Sequence, residues 1–368
     1  MLVALIFGLV ACGNPRPTVK PVAQNTTPVQ NFENDLTFND VTLEQADQQG
    51  RPFWKMKAKQ ATYSKDKKVA LVQSPNGELF QDGKPVYHIQ GQQGEIQQDG
   101  KQLFLKGQVV ATDPRNNLVL RGNELEWRPR EDLLIVRNSL TGTNPQVRAV
   151  AQEARVKSRA SRIELLGGVA AVANDPPLQM RTEHLIWQIR EQKLIGDRPV
   201  QIDRYQGKAI TDTARGNSGD VDLQTKIVTL KHNAQLTLLE PPLQVDSNEL
   251  TWNLNTETVT SDQPLRIVHR REQMTVTANK GRMDLQQKIA YLTGNVYGIG
   301  QRGQSLNAKA LNWYLSSQLF KAEGDVVYRQ VEPKVSFTGQ KAVGKLQDQS
   351  IVVSGGRVVT KIIPSSVK

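Results

Sequence analysis

The sequence predicts an all-β protein, elongated and built from repeats, on three observations. From Leu36 onward apolar and polar residues alternate in short runs, so residues two apart share one face of a strand. No window longer than about ten residues keeps the spacing of a helix. A Leu-x-Trp motif returns at near-constant intervals, and a fixed period of this kind marks a chain that stacks one unit on the next.

The motif reads Leu125-x-Trp127, Leu185-x-Trp187-x-Ile189, Leu250-x-Trp252-x-Leu254 and Leu311-x-Trp313-x-Leu315, with its tryptophans 60, 65 and 61 residues apart. Between these lies a second strand type: Leu103-x-Leu105-x-Gly107-x-Val109, Ile163-x-Leu165-x-Gly167-x-Val169, Leu292-x-Gly294-x-Val296 and Phe320-x-Ala322-x-Gly324-x-Val326. Aligning Ile96, Trp127, Val156, Trp187, Val221, Trp252, Met283 and Trp313 gives steps of 31, 29, 31, 34, 31, 31 and 30, a unit of about 31 residues. Polar turns such as Gln98-Asp99-Gly100 join successive strands as hairpins. A glycine inside a strand normally weakens it. Its return at one place in the unit predicts a bend, or a point where two sheets approach closely.

Composition fits a thin structure that buries one face of each strand: 38% of the 368 residues are hydrophobic, and mean hydropathy is −0.48. The 47 Lys and Arg outnumber the 36 Asp and Glu, for a net charge of +11. The excess is spread thinly, with no run beyond pieces such as Lys65, Lys67 and Lys68, which argues against nucleic acid. It suits phospholipid surfaces and phosphorylated glycolipids.

Little in the chain points to catalysis. The histidines His88, His184, His232 and His269 stand far apart, and the single cysteine allows neither a disulfide nor a zinc-type ligand set, so no metal or cofactor is expected. Serines occur in no nucleophile elbow. Glu124 and Glu126 sit two apart on the polar face of a strand, where solvation accounts for them. Residues Gly298 to Gly303 match the dinucleotide fingerprint, but no helix is expected to open at Gly303, so they read as a glycine-rich turn. A β-helical polysaccharide lyase or hydrolase would need clustered carboxylates or a basic residue on one exposed ladder, and no such cluster is evident.

The N-terminal residues carry a different signal. Residues 2–11 form an apolar run the length of a signal-peptide core, ending Leu9-Val10-Ala11-Cys12. This resembles the bacterial lipobox, in which the cysteine is acylated and becomes the mature N-terminus. Residues 1–12 are therefore expected to be an export signal and anchor, with lipid attached at Cys12. Residues 13–35 follow as a linker holding Pro15, Pro17, Pro21 and Pro28, an extended segment that does not pack.

The folded part resembles the OstA-like family of lipopolysaccharide-export proteins, LptC and LptA, and LptC most. The resemblance is best over about residues 38–136. It is carried by Leu43-Glu44-Gln45-Ala46-Asp47, Trp54-Lys55-Met56-Lys57-Ala58, Ala61-Thr62-Tyr63, Gly83-Lys84-Pro85-Val86-Tyr87, Leu103-Phe104-Leu105-Lys106-Gly107-Gln108-Val109 and the later Tyr291-Leu292-Thr293-Gly294-Asn295-Val296. It implies a twisted, open β-jellyroll whose two antiparallel sheets form a V-shaped trough for acyl chains. It also implies a periplasmic bridge that takes glycolipid from an inner-membrane ABC transporter and joins further LptA-like or outer-membrane modules edge to edge. This chain is about twice as long as an ordinary LptC and carries a lipoprotein signal. The expected layout is an LptC-like jellyroll at 36–200, its LptA-like continuation at 201–361 and a tail at 362–368.

On this reading the trough is lined by Leu103, Leu105, Val109, Leu125, Trp127, Leu185, Trp187, Ile189, Leu250, Trp252, Leu254, Leu311, Trp313 and Leu315. A stripe of this composition also suits a closed core, as in a structural or carbohydrate-binding envelope solenoid; the tether, the lean composition and the open-ended repeat favour a groove. Residues 350–360 read as a β-branched segment with an unblunted edge, and Ile351, Val352, Val353, Val358 and Val359 are the candidates for docking a further module by β-augmentation. The anchor is the part most directly tested. Cys12→Ser should move the protein from the membrane fraction to the soluble periplasm, since an apolar run this short holds only through its acyl chains. Unchanged fractionation and mass would show that the lipobox is unused.

Overall fold

The computed structural model describes residues 36–362 apart from 98, 100, 101, 346, 347 and 349. The proposed anchor with Cys12, the linker at 13–35 and residues 363–368, including Pro364, lie outside the described residues. What is described is an antiparallel meander in which long strands such as Leu103–Asp113, Leu118–Arg128 and Leu133–Thr143 pair in succession.

These strands do not run straight. The register shifts midway, between Lys106 and Val109, Leu166 and Val169, Thr293 and Val296, and Glu323 and Val326. At each shift two successive residues take left-handed backbone, as at Gly107 and Gln108 (φ 77° and 46°) and at Gly324 and Asp325 (80° and 48°). A paired bulge of this kind bends the strand sharply. In other units the strand is cut in two at the same place: Val69–Gln73 from Asn76–Gln81, Lys193–Gly196 from Val200–Gln206, and Thr258–Ser261 from Leu265–His269. Pro75, Pro199 and Pro264 stand in those gaps, where no ladder donor is needed.

Each chain segment therefore belongs to two walls that meet along a common corner. Leu103 and Leu105 lie in one wall, and Val109 of the same strand lies in the other. The glycine strand does not hold its apolar residues on one flat face as the sequence suggests; the glycine is where the strand passes from wall to wall. The result is a two-walled jellyroll whose 28 described strands form one continuous sheet folded along its corner. Both walls continue past residue 200, where Val200–Gln206 pairs with Leu178–Gln188 and with Ala209–Gly216.

The period has a direct structural meaning. Ile96, Leu103, Trp127, Leu134, Val156, Ile163 and Trp187 are successive cross-strand partners in one row. The row continues through Leu194, Val221, Val228, Trp252, Val259, Met283, Ala290 and Trp313 to Phe320. The residues aligned above by period are alternate members of this line. A tryptophan stands on every fourth strand, ~19 Å apart at the usual strand spacing. This side is called here the tryptophan wall, and the other the facing wall.

Between the walls the space is a wedge. Nearer the corner, the row next to the tryptophans contains Gly94, Gly196, Gly219 and Gly281. A Cβ on Gly196 would stand 2.4 Å from Val200 Cγ1, and one on Gly281 would stand 2.7 Å from Leu265 Cδ1, both on the facing wall. The walls nearly touch there. Away from the corner they part, and the largest side chains fill the gap: Trp127, Trp187, Trp252 and Trp313 are at most 1% exposed. At ~150–250 Å² of buried surface each and about 25 cal/mol/Å², every such ring stabilises the stack by an upper limit of about 4–6 kcal/mol.

The C-terminal segment departs from the sequence reading. Residues 350–360 do not form one strand but two, Ser350–Ser354 and Val359–Ile362, on different walls. The left-handed Gly355 and Gly356 (φ 75° and 69°) turn the corner, and Val358 lies in neither strand.

The corner is testable at Gly324, where any added Cβ would stand 2.9 Å from Cβ and Cδ of Lys309, so two substitutions that share this contact differ in their backbone cost. Gly324→Val should destabilise the protein by about 1–2 kcal/mol in denaturant melts, the cost of left-handed backbone. Gly324→Asn should cost less, since Asn138 and Asn233 hold left-handed positions at other corners. Equal losses for both would remove the backbone explanation.

Candidate functional site

Opposite the corner, the two walls end in separate rims of turns. The tryptophan wall presents the turns around Ser158 to Ser161, Leu223 to Lys226, Leu254 to Glu257 and Leu285 to Lys288; the facing wall presents Asp82 to Gly83, Asn174 to Pro177 and Leu239 to Pro242. Among the described residues no backbone hydrogen bond crosses from rim to rim. Side chains do cross. Arg159 makes a two-pronged bond to Asp82 (2.7 and 2.9 Å), Lys226 meets Asp175 at 2.7 Å, Arg204 meets Glu257 at 2.7 and 2.8 Å, and Lys288 approaches Glu240 at 3.9 Å. The bond from Arg159 lowers the Asp82 carboxyl to about 2, so that pair stays charged through the physiological range. Burial opposes the charge of Arg204, yet Glu257 and Asp212 outweigh it and raise its pKa.

Directly beneath this seam runs the tryptophan row. Leu254 packs against the core partly buried; the other thirteen expected lining residues are fully buried, and the structure gathers all fourteen into one continuous apolar interior. Three of the rings face a polar-tipped side chain from the opposite wall. Tyr87 stands edge-on to Trp127 at 6.4 Å, the Arg204 guanidinium lies 5.1 Å over Trp252, and His269 packs 6.0 Å from Trp313. The Ser158 hydroxyl, across the mouth, bonds the Tyr87 hydroxyl at 3.1 Å, and burial pushes that phenol's pKa up. Burial likewise lowers His269, favouring its neutral form. Trp187 instead meets the bare backbone of Gly142.

The indole nitrogens of Trp127, Trp252 and Trp313 are buried and meet no hydrogen-bond acceptor among the described residues. A buried unpaired donor costs about 1–3 kcal/mol, so three in one row call for a reason. A void of about 10 Å³ remains between Leu250, Leu265, Met283 and Leu292. Larger spaces open at the mouth: a cleft of about 580 Å³ where Phe53 and Phe80 meet Pro129, Arg130 and Arg159, and one of about 380 Å³ between Pro176, Tyr205, Leu254 and Glu257.

A family model for lipopolysaccharide assembly, LptC-related, matches residues 1–134, 135–235 and 203–299. The chain belongs to the LptC-related family. No curated protein matches it. As an LptC-related protein it takes part in lipopolysaccharide transport, in a family whose members face the periplasm. The triple match follows from the repeat, since the same corner, row and rim recur along the chain. No described helix is long and apolar enough to cross a membrane.

Sequence reasoning missed the mouth. Its ion pairs join residues 48 to 77 positions apart, on turns whose facing depends on the corner. The one available signal was the acid-proline turn that recurs on the facing rim at Asp113-Pro114, Asp175-Pro176, Glu240-Pro241 and Glu332-Pro333. Glu126 corrects a second expectation. It is not solvated but 3% exposed, bonded by Arg128 (2.5 Å) and Arg137 (2.9 Å) in a chain of charges that continues to Glu153 and Arg155. Residues 300–304 form a turn closed by Gly300 N–H to Gln304 C=O, as expected of a glycine-rich loop.

Among the described residues both ends of the stack carry a strand edge without a neighbour. At one end Leu36–Ala46 pairs, among those residues, only with Pro52–Tyr63, and Leu36 and Phe38 are exposed. At the other end Ser350–Ser354 and Val359–Ile362 pair, among the described residues, only with Val335–Lys345. Ile351 and Val353 pack against the core, whereas Val352 is 69% exposed and Val358 and Val359 are exposed as well.

Proposed function

We propose that the chain is a passive conduit for lipopolysaccharide, with acyl chains between the walls and the headgroup outside the mouth. It receives glycolipid from an inner-membrane ABC transporter, is tethered through lipidated Cys12 and hands its load to a module docked on its C-terminal edge. It performs no catalysis and uses no cofactor. One observation carries the reading: the walls share backbone at the corner but meet at the mouth through side chains alone. Three of the four seam pairs are largely solvent-exposed, and such pairs contribute only about 0–1 kcal/mol each, so the seam resists parting less than the corner does. An acyl chain entering the wedge exchanges contacts between tryptophan and the facing wall for contacts of the same apolar kind.

The fully buried row favours a second reading, a spacer with a permanently closed core. Photo-crosslinking separates the two. A bulky aromatic crosslinker at 127, 187, 252 or 313 should capture labelled lipopolysaccharide in cells, and the same group at outward-facing Glu249 or Lys321 should not. Equal capture from both sets, or none, would leave the closed spacer standing.

For the docking edge, Val352→Pro should abolish co-purification of the downstream module, by removing a ladder donor from an outermost strand, while thermal unfolding of the remaining units is unchanged. Undiminished co-purification would place the junction elsewhere.

A further inference from the structure

The unpaired polar atoms of this protein are not scattered. Six buried side-chain atoms lack a partner among the described residues: the indole nitrogens of Trp127, Trp252 and Trp313, the Tyr328 hydroxyl, Ser161 Oγ and Arg162 Nε. All lie at the mouth. Ser161 is in a rim turn and Arg162 follows it, and the four rings occupy the last buried row before a rim on one wall or the other. The three tryptophans with orphaned N–H groups are also the three that face Tyr87, Arg204 and His269.

This depth is chemically distinctive for the ligand class proposed above, on which the inference rests. An acylated sugar has apolar chains that suit the wedge and a hydrated head that suits the solvent outside it. The ester and amide links between them must lie where the wedge ends. The ester carbonyl oxygens accept hydrogen bonds and, unlike the amides, have no N–H donor beside them, so they match a row that offers unsatisfied donors. We propose that the indole N–H groups of Trp127, Trp252 and Trp313 bind the ester carbonyl oxygens of the transported lipid, fixing how deep its chains sit. The three form stations. Trp252 and Trp313 are four strands apart and Trp127 and Trp252 eight, ~19 and ~38 Å at the usual strand spacing. Between them the row is apolar, and its one further ring, Trp187, is not among the buried unpaired donors, so a lipid slides between stations and pauses at them.

The test compares two probes: a tetra-acylated, bis-phosphorylated glucosamine disaccharide, and its counterpart with ether links in place of the esters. The full-length protein should bind the ester form more tightly. Trp→Phe at 127, 252 or 313 keeps a ring and removes the donor. Each should reduce the ester-over-ether preference about three- to tenfold, the usual weight of one hydrogen bond, with ether binding little changed. Trp187→Phe is the control for lost ring volume and should leave the preference intact. Replacing every tryptophan by benzothienylalanine, which keeps the bicyclic shape and substitutes sulfur for N–H, should abolish the preference without disturbing the fold. Equal binding of ester and ether probes to the unaltered protein would overturn the ester-carbonyl role while sparing the conduit. Failure to bind either probe would sink the conduit and this inference together.

Discussion

The structure depends on one backbone constraint: a strand must turn through a corner without ending. Two consecutive left-handed residues accomplish it, in pairs that include Gly or Asn such as Gly107-Gln108, Asn138-Ser139 and His232-Asn233, and other units break the strand there at Pro75, Pro199 or Pro264. Because the corner falls at the same place in each unit, successive strands turn together and their hydrogen bonds survive on both sides. Two walls, a shared corner and a parted mouth follow from it. Had the strands run straight, the same alternation of apolar residues would have given one flat sheet with an uncovered greasy face.

Side-chain size then shapes the space the corner creates. Near the corner the walls are close enough that Gly196 and Gly281 have no room for a Cβ. At the open end, tryptophan spans the same gap with Tyr87, Arg204 or His269 completing it. The ion pairs above the row add little to cohesion individually, but they keep the rims registered, because each joins one particular turn to one particular turn across the mouth.

Much of this was legible in the sequence, for a specific reason. In an antiparallel meander of near-constant strand length, cross-strand partners recur at the repeat period, so aligning Ile96 with Trp127, Val156 and Trp187 amounted to reading along one line of the sheet. The role of Gly107 and Gly294 as bends was visible too, since a glycine that returns in phase with a strand serves the backbone and adds nothing to the packing. What stayed hidden was everything depending on the third dimension. Asp82 and Arg159 become neighbours only once two walls face each other, and Glu126 is buried only because Arg128 and Arg137 fold over it. The C-terminal segment was misread because its composition is that of a strand throughout, while Gly355 and Gly356 belong to the corner.

The alternation of strand direction also governs how such a molecule can change in length. A whole unit adds one descending and one ascending strand to each wall, so it extends the stack by roughly 10 Å and returns the chain to the rim it left. In this protein the last described strands run from the rim of the tryptophan wall through the corner towards the facing rim. Gaining or losing a single strand would deliver the terminus to the other rim and reverse the polarity of the exposed edge. An antiparallel neighbour would then become a parallel one. Growth by whole units leaves the terminal edge unchanged; growth by half units does not. The spacing of two fixed surfaces could therefore be matched by varying the number of units, with the joint at the end left untouched.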